Sequence, residues 1–292
     1  MGRLVSSSIL GVHPQRRLPR FARQTLPKWF NSRLTPVTPS PADMQRGQWG
    51  EAGSRTVVLF NDTFMNYNYP QVGKAAVELL EAAGFRVELA NARCCGRPMI
   101  SKGFLANAAA HARYNVDLLH AYADQGIPII GCEPSCLLTF KDEYPELLKD
   151  DKSRKVAEHC FLIDDFLMRL KDQGELELEF KDLPKKVLFH GHCHQKSLVG
   201  TANSLRALRL PPGYEVEQVN SGCCGMAGSF GYEKEHFQIS MKIGELALFP
   251  AVQAKGPEWE LAVMGISCRQ QIEQGTGRKA RHLVEVLRDA IP

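Results

Sequence analysis

Two adjacent cysteines followed by glycine occur twice in this 292-residue chain, at Cys94-Cys95-Gly96 and at Cys223-Cys224-Gly225. The second copy opens a glycine-rich run that continues through Met226, Ala227, Gly228, Ser229, Phe230 and Gly231. A strand would send paired thiols to opposite faces, and repeated glycines weaken a helix. Such a run suits a loop that lets backbone approach a sulfur-loving group. The device limits what the chain can fold into, because both loops must be presented by equivalent scaffolds.

The flanking pattern supplies those scaffolds. In the first half, the short apolar, β-branched run at 56–60 reads as a buried strand, 85–89 and 127–130 read as further strands, and the spacing over 72–83 and 104–122 reads as helix. In the second half, 186–189, 214–219 and 260–264 read as strands. Residues 202–208, 232–249 and a closing segment around 284–287 read as helices. Laid side by side, each half runs strand, site, helix, strand, Cys-Cys-Gly, helix, strand, cysteine. Cys193 to Cys223 spans 30 positions and Thr63 to Cys94 spans 31; Cys224 to Cys268 spans 44 and Cys95 to Cys136 spans 41. The expected fold is α/β, with two pseudo-repeated β-α-β units and mainly parallel sheets. The cysteine loops fall just past the C-terminal ends of the strands, where open α/β sheets place their ligands. The division reads as a basic, Pro-rich tail (1–55), a first repeat (56–145), a helical, charged connector (146–185) and a second repeat (186–292).

Composition sets the compartment and the charge. Nine cysteines in clusters, with vicinal pairs that make awkward disulfides, point to a reducing, cytoplasmic setting and a soft-metal or iron–sulfur site. Residues 1–55 carry nine Arg or Lys against two acids, while the rest carries 27 basic and 30 acidic groups. The basic character therefore sits in the tail, which reads as a solvated linker with a short docking element over 20–30 anchored on Trp29. Met1-Gly2 with Ser6 matches a permissive myristoylation pattern. No apolar run approaches the roughly eighteen residues that span a bilayer.

In the second half, Cys193, Cys223, Cys224 and Cys268 come from three loops on one sheet edge, and four thiolates can satisfy a cubane cluster. Gly225 lets the backbone approach, and a helix expected to start near Tyr232 would turn its positive end toward the site. In the first half, Cys94, Cys95 and Cys136 match, Gly96 is the counterpart of Gly225, and Thr63 holds the fourth position. Cys132, Asp62 or an atom of another chain could complete that set. His190, His192 and His194 flank Cys193, on one face if the strand continues, and His190 and His194 could tune a cluster by hydrogen bonding. Cysteine with histidine is also zinc chemistry, which leaves a closed zinc site open as the inorganic rival. Cys160, in a helical apolar context, reads as core. No catalytic acid–base dyad, P-loop, G-x-S-x-G or nicotinamide fingerprint is present.

Six stretches then carry a resemblance: Asn61-Asp62-Thr63-Phe64, Cys94 to Pro98, Glu133-Pro134-Ser135-Cys136, His190 to Lys196, Gly222 to Tyr232, and Ser267 to Ile272. Over roughly 55–290 the chain resembles the cysteine-rich (CCG) domain of Fe–S oxidoreductases. That domain occurs in heterodisulfide reductase, in the iron–sulfur subunits of glycolate oxidase and anaerobic glycerol-3-phosphate dehydrogenase, and in lactate-utilisation proteins. It also forms the C-terminal part of FAD/FMN-containing dehydrogenase–Fe–S fusions. The resemblance implies an electron-transfer component with a [4Fe–4S] cluster in the second repeat and a second candidate site in the first. FAD would lie on a partner dehydrogenase that oxidises a 2-hydroxy acid such as D-lactate, glycolate or D-2-hydroxyglutarate. A ferredoxin-like Fe–S subunit is the other implied partner, with no nucleic acid and at most a peripheral membrane contact. The chain departs from the family pattern at Thr63, which stands where the first half has its leading cysteine. Glu133 and Gly265 stand where each half has the first cysteine of a Cys-x-x-Cys. Two further readings remain beside the electron-transfer one: a zinc-binding or structural scaffold of a dehydrogenase complex, and a thiol-active enzyme using Cys223 or Cys94.

Overall fold

Residues 11–33 and 55–292 are described by the computed structural model. The duplication resolves into two four-stranded sheets of the same order. Strands β1 (Arg55–Leu59), β2 (Phe85–Leu89), β3 (Ile129–Gly131) and β4 (Cys160–Leu162) lie in the order β2-β1-β3-β4. Strands β5 (Lys185–His190), β6 (Tyr214–Gln218), β7 (Trp259–Val263) and β8 (Ala280–His282) lie in the order β6-β5-β7-β8. Every pairing within the two sheets is parallel, so the expected α/β architecture of two matching units is borne out.

Parallel strands covered on both faces need apolar residues at successive positions rather than at alternate ones. In β1, Val57 and Leu59 point into a core shared by the two halves, whereas Val58 points into a core that belongs to the first half. In β5, Val187 and Phe189 enter the shared core, and Leu188 faces a core of the second half. Between the sheets, the helix Pro70–Ala82 packs on the closing helix Leu283–Arg288, burying Leu79, Leu80, Val284 and Leu287. At their edge Arg288 pairs with Glu78 at 2.9 Å. One buried polar group also spans the halves. Asp164, on the helix Ile163–Asp172, accepts from Gln195 Nε2 at 3.0 Å and from the Ser204 hydroxyl.

Several local expectations are corrected. Cys160 is fully buried core, but in edge strand β4 rather than in a helix. The last edge strand, β8, was not legible either. Both strands have three residues, too few for a period to register. The helix expected from residue 232 begins only at Phe237, after a 3₁₀ turn at Phe230–Tyr232. β5 ends at His190, and His192 then caps the helix Cys193–Leu198, so the three histidines do not share a strand face.

Residues 11–33, read as linker with a docking element, lie against the folded body. Val12 bridges Glu233, and Leu26, on the helix Leu26–Arg33, is completely buried. Leu26 fills a notch at Gly73, where a Cβ would fall 2.3 Å from its Cδ2. Trp29, the expected anchor, is only partly buried and packs on the surface of the same core. The myristoylation pattern lies outside the described residues, as do residues 34–54 of the tail. Among the described residues no helix is long and apolar enough to cross a membrane.

Burial, with the Asp165 carboxylate beside it, raises Asp164 to about 7. A carboxyl raised in the folded state lends full stability below its unfolded value near 3.8 and loses it as pH climbs through about 7. Urea unfolding should therefore show Asp164→Asn gaining on the wild type by about 1–3 kcal/mol between pH 5 and pH 8. An equal difference at both pH values would contradict that assignment.

Candidate metal centre

Apart from Cys160, which lies in β4, the cysteines sit in the loops and first helical turns that follow β2, β3, β5, β6 and β7; after β1 the equivalent position is Thr63. In the second half, Cys193 is the first residue of the helix Cys193–Leu198, and Cys268 lies in the first turn of Ile266–Thr276. Helix N-termini present unpaired amides and positive partial charge, which favours sulfur as thiolate. Cys223 and Cys224 come from the loop after β6, and Gly225 N donates to Cys223 Sγ at 3.3 Å. Sulfur faces sulfur in a chain: Cys193 with Cys223, Cys223 with Cys224, Cys224 with Cys268. All four thiols are free; Cys224 and Cys268 are buried, and Cys193 and Cys223 reach partly to the surface.

Hydrogen bonding along that chain divides the thiols. Cys193 is pushed up by its bond to Cys223 and then by burial, and Cys224 by its bonds to Cys223 and Cys268 and then by burial. Cys223 is held down by Cys193 and Cys224, and Cys268 by Cys224 and, more weakly, by His190. His190 is 1% exposed; its Nδ1 meets Ser221 Oγ at 2.9 Å, and its otherwise unpartnered Nε2 faces Cys268. Lys196 Nζ donates to the carbonyls of Ser221 and Gly222, pinning the start of the loop. Gly225 has φ +96°, and a Cβ there would fall 2.3 Å from Ser240 O. That close approach requires glycine.

The first half repeats the arrangement with one sulfur fewer. Cys94 touches Cys95, Cys95 touches Cys136, and the Thr63 hydroxyl stands beside Cys94 in the fourth position. Cys94 is raised by its bond to Cys95 and by burial, and Cys95 by its bond to Cys136. The bond from Cys95 lowers Cys136, yet burial and the neighbouring Asp62 and Glu133 carboxylates lift it to about 11. Gly96 takes φ +81° against Ala108, as the motif requires. The loop carbonyls are satisfied by groups that carried no sequence signal: His111 Nδ1 at Cys94 O (3.0 Å) and Tyr144 OH at Cys95 O (2.9 Å). Asn115 bonds Arg93 on both its backbone atoms.

The other candidates are placed elsewhere. The Cys132 side chain belongs to the shared core, not to the core that holds Cys94, Cys95 and Cys136. It lines a cavity of about 10 Å³ with Asp62, Tyr69, Glu133 and His282. Asp62, raised to about 7 by burial and then by Glu133, spends one oxygen on the amides of Phe64 and Met65 as a helix cap. His194 turns to the first half, facing Asp142 and Glu143. These are the only His, Cys, Asp or Glu among the described residues whose ligand atoms, three or more together, all lie within 4.8 Å. The sulfurs of neither half form so tight a knot.

Glu133 and His192 join the two groups. One Glu133 oxygen accepts from Ser135 N at 3.2 Å and the other from Ile266 N at 2.8 Å, tying together the helices that carry Cys136 and Cys268. His192 Nε2 meets Ser135 Oγ at 3.2 Å, and a Cβ at Gly265 would fall 2.3 Å from the His192 ring.

A family model for the cysteine-rich domain CCG matches residues 58–141 and 187–256, one segment within each of the two units just described. The chain belongs to the CCG cysteine-rich domain family. This CCG protein is 33% identical over 292 residues to a subunit of the anaerobic glycerol-3-phosphate dehydrogenase of Escherichia coli K12, covering 99% of this chain and 69% of that one. It is 31% identical over 243 residues to D-2-hydroxyglutarate dehydrogenase of the same organism, 82% of this chain but 23% of that protein. Lactate utilization protein A of Bacillus licheniformis is 26% identical over 248 residues, 79% of this chain and 98% of that protein.

The CCG loop geometry makes a paired prediction. Gly225→Ala should cost about 1–3 kcal/mol and expose Cys224 to faster alkylation, measured by mass spectrometry. Gly222→Ala, which meets nothing within 4 Å, should change neither.

Proposed function

We propose that this chain is the iron–sulfur electron-transfer component of a flavin-linked dehydrogenase, with one [4Fe–4S] cluster held by Cys193, Cys223, Cys224 and Cys268. The observation that carries this reading is a set of four free thiols from three strand-tip loops, neighbours in pairs yet not gathered into one tight knot. A single tetrahedral zinc with bonds of about 2.3 Å needs its sulfurs within roughly 4 Å of one another. A cubane takes one thiolate at each of four irons and so spreads its ligands over a wider span. The relatives, named as dehydrogenases and a lactate utilization protein, favour the electron-carrying cluster over the zinc scaffold.

Bound there, such a cluster supplies a one-electron relay. The residues of the chain hold the sulfurs, keep water from Cys224 and Cys268, and leave Cys193 and Cys223 near the surface where electrons enter or leave. The relatives take their names from glycerol-3-phosphate, D-2-hydroxyglutarate and lactate. Each is a secondary alcohol on an anionic molecule, and oxidation to the ketone releases two electrons and two protons. A flavin on a partner subunit would take them, and this chain would carry the electrons onward singly. That widens the substrate class expected from the sequence beyond 2-hydroxy acids. In the first half, Cys94, Cys95 and Cys136 with Thr63 form a donor set one sulfur short, and we assign it the weaker or shared site.

Anaerobic purification tests the reading. The wild type should carry about four irons and four sulfides per chain, with broad visible absorption that dithionite bleaches. Cys224→Ser should lose that iron while Cys95→Ser keeps most of it. Colourless protein with stoichiometric zinc would replace this reading with the scaffold one.

A further inference from the structure

The N-terminal segment carries one charged side chain into the interior beside the second cysteine group. Arg16 is 4% exposed. Its Nε donates to Gly231 O at 2.6 Å and its Nη2 to Ser240 Oγ at 2.8 Å. Gly231 closes the glycine-rich loop that Cys223 and Cys224 open. Ser240 lies beneath that loop, against Gly225 and Gly231, where an added Cβ would fall 2.3 Å from its carbonyl oxygen and 2.6 Å from its hydroxyl. Gln271, one turn beyond Cys268, donates to Ser240 O at 2.8 Å. Arg16 is thus one residue removed from the backbone that presents Cys224 and from the helix that presents Cys268.

The segment is clamped in place. His13 N donates to Tyr232 O at 2.7 Å and Lys234 N to Gly11 O at 3.0 Å. The His13 ring stacks on Phe237 at 3.7 Å, and the Arg16 guanidinium lies 4.9 Å from the same ring.

Two features exceed what a structural clamp needs. Nη1 of Arg16 is buried with no hydrogen-bond partner, and among the described residues no carboxylate pairs with the guanidinium. An arginine keeps its charge when buried, and a buried charge without a counter-charge is strongly unfavourable. Most of the other partly buried arginines here have a carboxylate: Arg269 has Glu285, and Arg281 has Glu260 and Asp289. Two acidic groups act on the Arg16 guanidinium from the interior, the Tyr232 phenol first and then the Cys224 thiol, and of these only the thiol set that begins at Cys224 could carry charge as metal ligands.

We propose that Arg16 is the counter-ion of the second cysteine centre, offsetting the negative charge of a thiolate-bound cluster and holding the glycine loop closed over it. This rests on the electron-transfer reading above. It makes residues 11–17 part of the centre. A buried positive charge stabilises the reduced, more negative state, so Arg16 raises the midpoint potential.

The test uses the full chain, anaerobically loaded, as wild type, Arg16→Met and Arg16→Lys. Arg16→Met should load iron but favour the reduced state about tenfold less, a shift of about 59 mV to the negative for one electron. It should also lose iron to a chelator about 10-fold faster. Arg16→Lys keeps the charge but not both hydrogen bonds, so it should hold the potential and lose iron faster than the wild type. The thermal midpoint should fall further for Arg16→Met in the loaded chain than in the metal-free one. Unchanged potential and iron loss in Arg16→Met, or equal destabilisation with and without iron, overturns the proposal. Should Arg16→Met fail to fold, Arg16→Gln reads the same potential, and an unchanged value is again decisive against it. A wild type that takes up no iron and sulfide overturns the electron-transfer reading itself, an outcome distinct from a loaded wild type indifferent to Arg16.

Discussion

Four sulfurs brought to one sheet edge, two of them buried and two reaching only partly to the surface, concentrate negative charge where water disperses little of it, and the rest of the structure is arranged around that difficulty. Each half meets it with the same parts. The N-terminal turns of short helices present Cys136, Cys193 and Cys268, so that amides rather than carbonyls face the sulfur. The Gly225 amide reaches Cys223 directly. Lysine and tyrosine side chains occupy the loop carbonyls, which would otherwise add their own negative ends to the site.

The two centres are not independent. At the two positions where the family pattern places a cysteine, this chain has Glu133 and Gly265, and these meet across the seam between the halves. The Glu133 carboxylate accepts an amide from each half, and the absent side chain at Gly265 admits the ring of His192. A cysteine at Gly265 would collide with that ring, so the departures act as a set. Together with the core shared by β1 and β5, the seam fixes the spacing between the sulfur groups.

The periodicity of the chain located six of the eight strands and both loop pairs, because the central strands β1 and β5 are short apolar runs and the edge strands β2 and β6 alternate apolar with charged residues. It missed β4 and β8, which are three residues long and held by neighbours rather than by their own pattern. It placed one helix about five residues early, at Tyr232, which instead closes a 3₁₀ turn ahead of the helix that begins at Phe237. Within residues 11–33 it expected a docking element anchored on Trp29 and otherwise linker, since single anchors such as Val12, Arg16 and Leu26 leave no period to detect.

What the sequence determined by itself was the chemistry: sulfur in duplicate, at the ends of parallel strands, with glycine where backbone must come close. Those features are local, and each residue type carries its reason with it. Only the tertiary structure decided which sulfurs meet. It set Cys132 apart from Cys94, Cys95 and Cys136 in a different core, placed the Thr63 hydroxyl where a fourth sulfur would stand, and brought Arg16 under a loop more than two hundred residues away. Such contacts depend on how whole sheets pack, and packing is a property of surfaces that no stretch of the chain carries alone.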